Sequence, residues 1–163
     1  LIADVEQPIL LIAPKGREEE AVTRLARVGF DNVLGYLNGG LDSWKAAGKE
    51  IDTMASESAE DLEKAMMDDA IVIDVRKPGE FTSEHIENAT NIPLDFMNEH
   101  MEEFPKEDTF HVHCAGGYRS VIAGSILKSR GIHNLINVEG GYGAIKKTGI
   151  PVTDYVCPTT LKD

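Results

Sequence analysis

Cysteine is scarce in this chain: Cys114 and Cys157 are the only two among 163 residues. Two thiols make no disulfide framework. They read as reduced, intracellular side chains and set the expectation of a cytoplasmic protein. Positive charge is also short, with 16 Lys and Arg against 28 Asp and Glu and a formal net charge of −12. That balance excludes nucleic acid as an expected partner, because phosphate binding needs basic patches that release counterions. It equally disfavours an anionic membrane surface. No apolar run approaches ~18 residues, so no membrane-spanning helix is expected. No secretory leader is visible, although residue 1 is Leu rather than Met and the lack of a leader therefore carries little weight. Metal ligands are short as well. His111 and His113 alternate on one strand face beside Cys114 but lack a second ligand pair, so no metal is expected.

What is present is an ordinary globular balance, 42% hydrophobic and 27% charged. The length suits one domain and a fraction of another. An internal repeat explains the fraction. At an offset of 102, Arg17 matches Arg119, Ala21 matches Ala123, Leu25 matches Leu127, Gly29 matches Gly131 and Asn32 matches Asn134. At an offset of 101, Gly39-Gly40 matches Gly140-Gly141. Both copies read as strand, helix, strand, Gly-Gly and short helix. In the first copy, Pro8–Ile12 reads as a buried parallel strand, Glu18–Val28 as a helix stopped by Gly29, Asn32–Leu34 as a strand and Leu41–Ala47 as a short helix. In the second, the strand is Phe110–His113, the helix Tyr118–Arg130 and the next strand Asn134–Val138.

Only the second copy has a front half. Ser58 with Asp61 predicts a capped helix. Ala70–Ile73 has no polar face and predicts a central strand. Asn91–Leu94, which contains Pro93, predicts an edge segment. Alternating strands and helices imply an α/β fold with right-handed parallel βαβ units. The expected organisation is a C-terminal half of a degenerate unit over 1–51, a linker over 52–57, a complete domain over 58–155 and a tail over 156–163. Apolar strand edges on the half-unit predict some association, including a homo-oligomer.

The chemistry concentrates in His113-Cys114-Ala115-Gly116-Gly117-Tyr118-Arg119-Ser120, after a strand and before a helix. In open parallel sheets the crevice at the strands' carboxyl ends is the usual site. Loop N–H groups and a helix N-terminus favour an anion there. Glycines let amides turn inward. Arg119 adds a bidentate cation or pairs with a carboxylate. Cys114 reads as a thiolate nucleophile with a lowered pKa, the alternative being a buried structural thiol. Ser120 is expected to cap the helix. Asp74, Arg76 and Glu80 are expected to form one structural network, with Asp74 near enough to the loop to support it. Cys157 reads as a bystander or a relay thiol.

From about Ser56 to Val152 the chain resembles a rhodanese domain, the sulfurtransferase fold. The motifs are Asp74-Val75-Arg76-Lys77-Pro78-Gly79-Glu80-Phe81, then Glu84-His85-Ile86, Ala89 and Asn91-Ile92-Pro93, the loop Cys114–Arg119, and Glu139-Gly140-Gly141-Tyr142. Glu84 departs from the family's usual Gly, and Ile145 from a common Trp that the first copy keeps as Trp44. His85, in the family's His-Ile motif, is expected to make a structural hydrogen bond. The resemblance implies a parallel sheet flanked by helices, with Cys114 catalytic and Ala115, Gly116, Gly117, Tyr118, Arg119 and Ser120 binding substrate. It implies ping-pong transfer of a sulfane sulfur from thiosulfate or a low-molecular-weight persulfide to a thiol acceptor, through a Cys114 persulfide and without a cofactor. The loop is shorter by one residue than that of related-looking phosphatases and arsenate reductases, which disfavours phosphate chemistry. At the nucleophile position the first copy has Ile12 or Ala13, so it reads as inactive. An upstream metallo-β-lactamase-like persulfide dioxygenase is a partner seen with such pairs. The alternative is a docking or redox-sensing module.

Overall fold

The apolar run Ile71-Val72-Ile73 is β-branched throughout and has no polar face, so it is stable only where both sides are covered. In the computed structural model, which describes residue 2 and residues 4–157, it forms strand β4 (Ile71–Asp74) in a sheet covered on both sides. The chain divides into two compact units, Leu1–Thr53 and Met54–Asp163. The residues from 158 onward, most of the expected tail, lie outside the described residues.

The Met54–Asp163 unit holds a five-stranded sheet. Its strands are β3 (Ala55–Glu57), β4, β5 (Thr90–Asn91), β6 (Phe110–His113) and β7 (Leu135–Val138), in the spatial order β3-β7-β6-β4-β5 and all parallel. Every residue of β6 is buried. Side chains alternate across the sheet as the pleat requires. Ile73 joins a cluster with Val112, Phe110, Ala123 and Leu127 of helix α5 (Tyr118–Ser129). Val72 joins a second with Leu62 of α3 (Ala59–Ala65) and Ile145 of α6 (Gly141–Ile145). Ser58 caps α3 as its sequence predicts, its Oγ accepting from the Asp61 amide at 3.2 Å.

Two elements depart from the sequence reading. Part of the expected linker, Ala55–Glu57, is β3, and it pairs with residues 136–138 of β7. Three residues carry no readable periodicity, and the partner that makes them a strand lies far along the chain. The second is helix α4 (Pro78–Ser83), which has Pro at its start and a Glu80 carboxylate accepting from the Lys77 amide at 3.2 Å. After α6 the chain runs back beside residues 83–87. An antiparallel bridge joins Ile86 and Val152, and the amides of Thr153 and Val156 donate to the carbonyls of His85 and Ser83 at 2.8 and 2.7 Å.

The Leu1–Thr53 unit is β1 (Ile9–Leu11), α1 (Glu18–Ala26), β2 (Val33–Tyr36) and α2 (Gly40–Ala46), with β1 and β2 parallel. This is the order of β6-α5-β7-α6. The likeness reaches the backbone: Gly39 and Gly40 have φ of 77° and 59°, and Gly140 and Gly141 have 72° and 54°. The expected burial of the first strand is not met. Leu10 is 76% exposed and Ile12 67% exposed, where Val112 and Cys114 at the matching positions are at most 1% exposed. A two-stranded sheet supplies too little cover for an apolar strand. Helix α1 also ends two residues short of Val28, in a turn closed by the Phe30 amide on the Leu25 carbonyl at 3.0 Å. Among the described residues, no helix is long and apolar enough to cross a membrane.

Candidate active site

Strand β6 ends at His113 and α5 begins at Tyr118, so the loop between them opens at the carboxyl edge of the sheet, beside the helix N-terminus. Gly117 has φ of 99°, a region that L side chains rarely adopt. That turn aims its N–H at Cys114 Sγ, 3.1 Å away. Ser120 Oγ lies 3.6 Å from the same sulfur. Cys114 itself is 1% exposed. Burial pushes its thiol pKa up. The Ser120 amide and hydroxyl and the amides of Gly116 and Gly117 outweigh burial and leave the pKa below the ordinary thiol value. Fixed dipoles therefore stabilise the thiolate, and among the described residues no histidine is hydrogen-bonded to the sulfur.

A second segment fastens the loop from behind. The Tyr142 amide donates to the Cys114 carbonyl at 2.7 Å, and the Gly143 amide to the Ala115 carbonyl at 3.0 Å. Gly141 approaches so closely that a Cβ there would sit 2.3 Å from the Cys114 carbonyl oxygen. The Gly-Gly-Tyr run thus sets the height of the Cys114 backbone.

The charged groups sort into two pairs. Arg119 donates from both terminal nitrogens to Glu80, at 2.6 and 2.8 Å, so its carboxylate-pairing alternative is the one observed. Those hydrogen bonds hold Glu80 below the usual carboxylate range, against partial burial. Asp74, fully buried, accepts from the Arg76 amide at 2.9 Å and from its Nε at 2.7 Å. Arg76 also donates to the Glu84 carbonyl and lies 3.9 Å over the Tyr142 ring. The single network expected of Asp74, Arg76 and Glu80 is therefore split, because Glu80 on α4 faces the loop. Ser120 does not cap α5 either. It sits in the first turn and its hydroxyl donates to the Gly117 carbonyl at 3.1 Å. Tyr118 is 80% exposed, away from the sulfur's buried surroundings.

The histidines separate. His111 bonds to Glu57, and His85 contacts the Phe81 carbonyl at 2.8 Å while stacking on the Phe81 ring. Among the described residues, no group of three or more His, Cys, Asp or Glu is placed to hold a metal. Cys157 is exposed. His113 is fully buried, and its Nε2 has no hydrogen-bond partner among the described residues. Asp74 Oδ2 stands 3.8 Å away, too far for a hydrogen bond and already committed to Arg76. Burial lowers the His113 pKa and outweighs the attraction of Asp74. A group whose folded pKa is depressed stabilises fully above its unfolded value, ~6.5, and loses that contribution as pH falls below it. The unfolding free energy of the wild type, from urea melts, should thus fall more steeply from pH 7.5 to pH 5 than that of His113→Asn, by up to about 1.4 kcal/mol per pH unit. Parallel slopes would refute the assignment.

A parallel α/β domain with a buried cysteine among loop amides at a strand's carboxyl end defines a class of cysteine-loop domain. Within it the match is specific. The profile of the Rhodanese-like domain covers residues 58–148, and the chain belongs to the rhodanese-like domain family. The chain is 34% identical over 99 residues to an uncharacterised protein of Synechocystis, across 61% of this chain and 54% of that protein. It is 29% identical over 96 residues to a protein named sulfurtransferase from Allochromatium vinosum, across 58% of this chain and 90% of that one. The crystal structure of a rhodanese-related protein from Thermoplasma volcanium superposes with a TM-score of 0.56 at 33% identity, covering 61% of this chain and 97% of that one.

Proposed function

We propose that the Met54–Asp163 unit is a sulfurtransferase that carries a sulfane sulfur on Cys114. The observation that carries this reading is the sulfur's environment: a buried Sγ, 3.1 Å from the Gly117 N–H, with a pKa below the ordinary thiol value. The thiolate attacks the outer sulfur of thiosulfate or of a low-molecular-weight persulfide. A bond forms between Sγ and that sulfur, and sulfite or a thiolate leaves with the electron pair of the broken S–S bond. The inward amides of the loop hold the negative charge of the resulting persulfide. A thiol acceptor then takes the outer sulfur and restores Cys114. The name of the Allochromatium relative supports the same chemistry. Residues 1–51 are proposed as the back half of a second, inactive unit, supported by the shared order of elements and the paired glycine conformations.

The test is intact mass after incubation with thiosulfate or glutathione persulfide and removal of excess donor. The expected result is a gain of about one sulfur atom, discharged by cyanide and absent in Cys114→Ser, with loading in that variant reduced at least ~100-fold. No gain from either donor, with Cys114 shown to be reduced, would overturn the reading and favour a docking or sensing module.

A further inference from the structure

The loop Cys114–Arg119 contains one ionisable cation, Arg119, and its guanidinium is already engaged. Both terminal nitrogens face Glu80, at 2.6 and 2.8 Å, in the two-pronged geometry that suits a carboxylate best. Glu80 is itself fixed from below by the Lys77 amide at the start of α4. The other guanidinium whose charge reaches Glu80, that of Arg76, is buried and taken by Asp74. The pair Arg119–Glu80 is electrically neutral, and the donors that hold the thiolate are dipoles rather than cations. An incoming donor therefore meets no uncompensated positive charge from the loop.

We propose that Glu80 is the specificity-determining residue of this loop: by occupying Arg119 it disfavours donors that bring two negative charges beside the transferable sulfur, and it leaves the site matched to donors with less charge there. This rests on the sulfurtransferase reading above. Thiosulfate and the methanethiosulfonate anion make the comparison clean, since both deliver one sulfane sulfur and differ by one charge. With thiosulfate, the Cys114 thiolate bonds to the outer sulfur, the S–S bond breaks and sulfite leaves with its electron pair. With methanethiosulfonate the same step expels methanesulfinate. In each case the charges balance and no external oxidant enters.

The variant Glu80→Gln removes the carboxylate charge that neutralises Arg119, while its amide oxygen still accepts from the Lys77 amide, so α4 keeps its cap. A freed cation at a partly exposed site favours loading by about threefold per unit of donor charge. In pre-steady-state loading assays read by mass, the variant should react about tenfold faster with thiosulfate and about threefold faster with methanethiosulfonate. The ratio between donors should shrink towards the wild-type value as salt rises, because exposed charges are screened. The double variant Glu80→Gln/Arg119→Gln should lose the gain, and circular dichroism should show both variants folded. An equal change for both donors, or a ratio insensitive to salt, would overturn the inference while leaving sulfur loading intact. Failure of the wild type to load from thiosulfate, methanethiosulfonate and glutathione persulfide alike, with Cys114 reduced, would overturn the sulfurtransferase reading and this inference with it. Loading of the wild type with an unchanged donor ratio in Glu80→Gln would overturn this inference alone.

Discussion

Replacing Arg76 with alanine is expected to destabilise the Met54–Asp163 unit by about 3–5 kcal/mol, the usual consequence of stranding one member of a buried ion pair. Asp74 has no solvent contact and Arg76 is only 4% exposed. Among the described residues, removing the guanidinium leaves the carboxylate with only the residue-76 amide as a hydrogen-bond donor. It also removes the donor to the Glu84 carbonyl and the cation over Tyr142. Urea unfolding followed by circular dichroism measures the loss. The chain's one tryptophan, Trp44, lies in the other unit, so circular dichroism rather than its fluorescence reports the Met54–Asp163 unit. Removing both charges together, as Asp74→Asn with Arg76→Met, should recover a substantial part of the loss, because two matched neutral groups avoid the stranded charge. A loss below about 1 kcal/mol for Arg76→Ala would show that water reaches Asp74 and that the pair is not sealed.

The second large effect is expected at Gly141. A Cβ there meets the Cys114 carbonyl oxygen at 2.3 Å and the carbonyl carbons of Cys114 and Ala115 at 3.0 Å. All three are backbone atoms, so the loop itself must move. The φ of 54° adds the left-handed penalty of about 1–2 kcal/mol for alanine. On the proposed role of Cys114 as nucleophile, displacing its sulfur by about 1 Å is enough to cost 100-fold in rate. Gly141→Ala should therefore load sulfur about 100-fold more slowly, and its alkylation-versus-pH profile should shift upward as the Gly117 and Ser120 contacts lengthen. Gly143→Ala is the control. Its Cβ would meet the Ala115 carbonyl oxygen at 3.5 Å, an ordinary contact, and its loading rate should stay within about twofold of the wild type. Equal behaviour of the two variants would show that the Gly-Gly-Tyr segment does not set the loop.

Much of this architecture is legible from local pattern. Strands β4, β6 and β7 and helix α5 follow from apolar runs and from Gly131 at the helix end. The loop stands out because Gly116, Gly117 and Arg119 accompany Cys114 between a strand and a helix. What escapes such reading depends on partners far along the chain. The three residues of β3 become a strand only by pairing with β7. The six residues of α4 announce themselves weakly, through Pro78 and a Glu80 that caps its own helix, and that same Glu80 then reaches Arg119, 39 positions away. The burial of β1 fails for a related reason. Apolar periodicity states which side chains need cover, while cover itself depends on what else is present. Ser120 shows the limit at atomic scale, since a hydroxyl three residues into a loop-helix junction has several acceptors within reach.

The pairing of β3 with β7 has a consequence for how the unit is made. The Ser56 and Asn137 side chains that meet at this edge are separated by 81 positions, and β6 lies inside, between β7 and β4. A nascent chain that has emerged only as far as α5 holds β6 with one bare backbone edge, β3 with no neighbour, and a Cys114 whose carbonyl still waits for the Tyr142 amide. Non-local pairings of this kind close late and slow the search. Synthesis from the N-terminus thus delivers Cys114 before the segment that holds it. While β7 and α6 are still being translated, the strand edges they will cover stand open to mispairing.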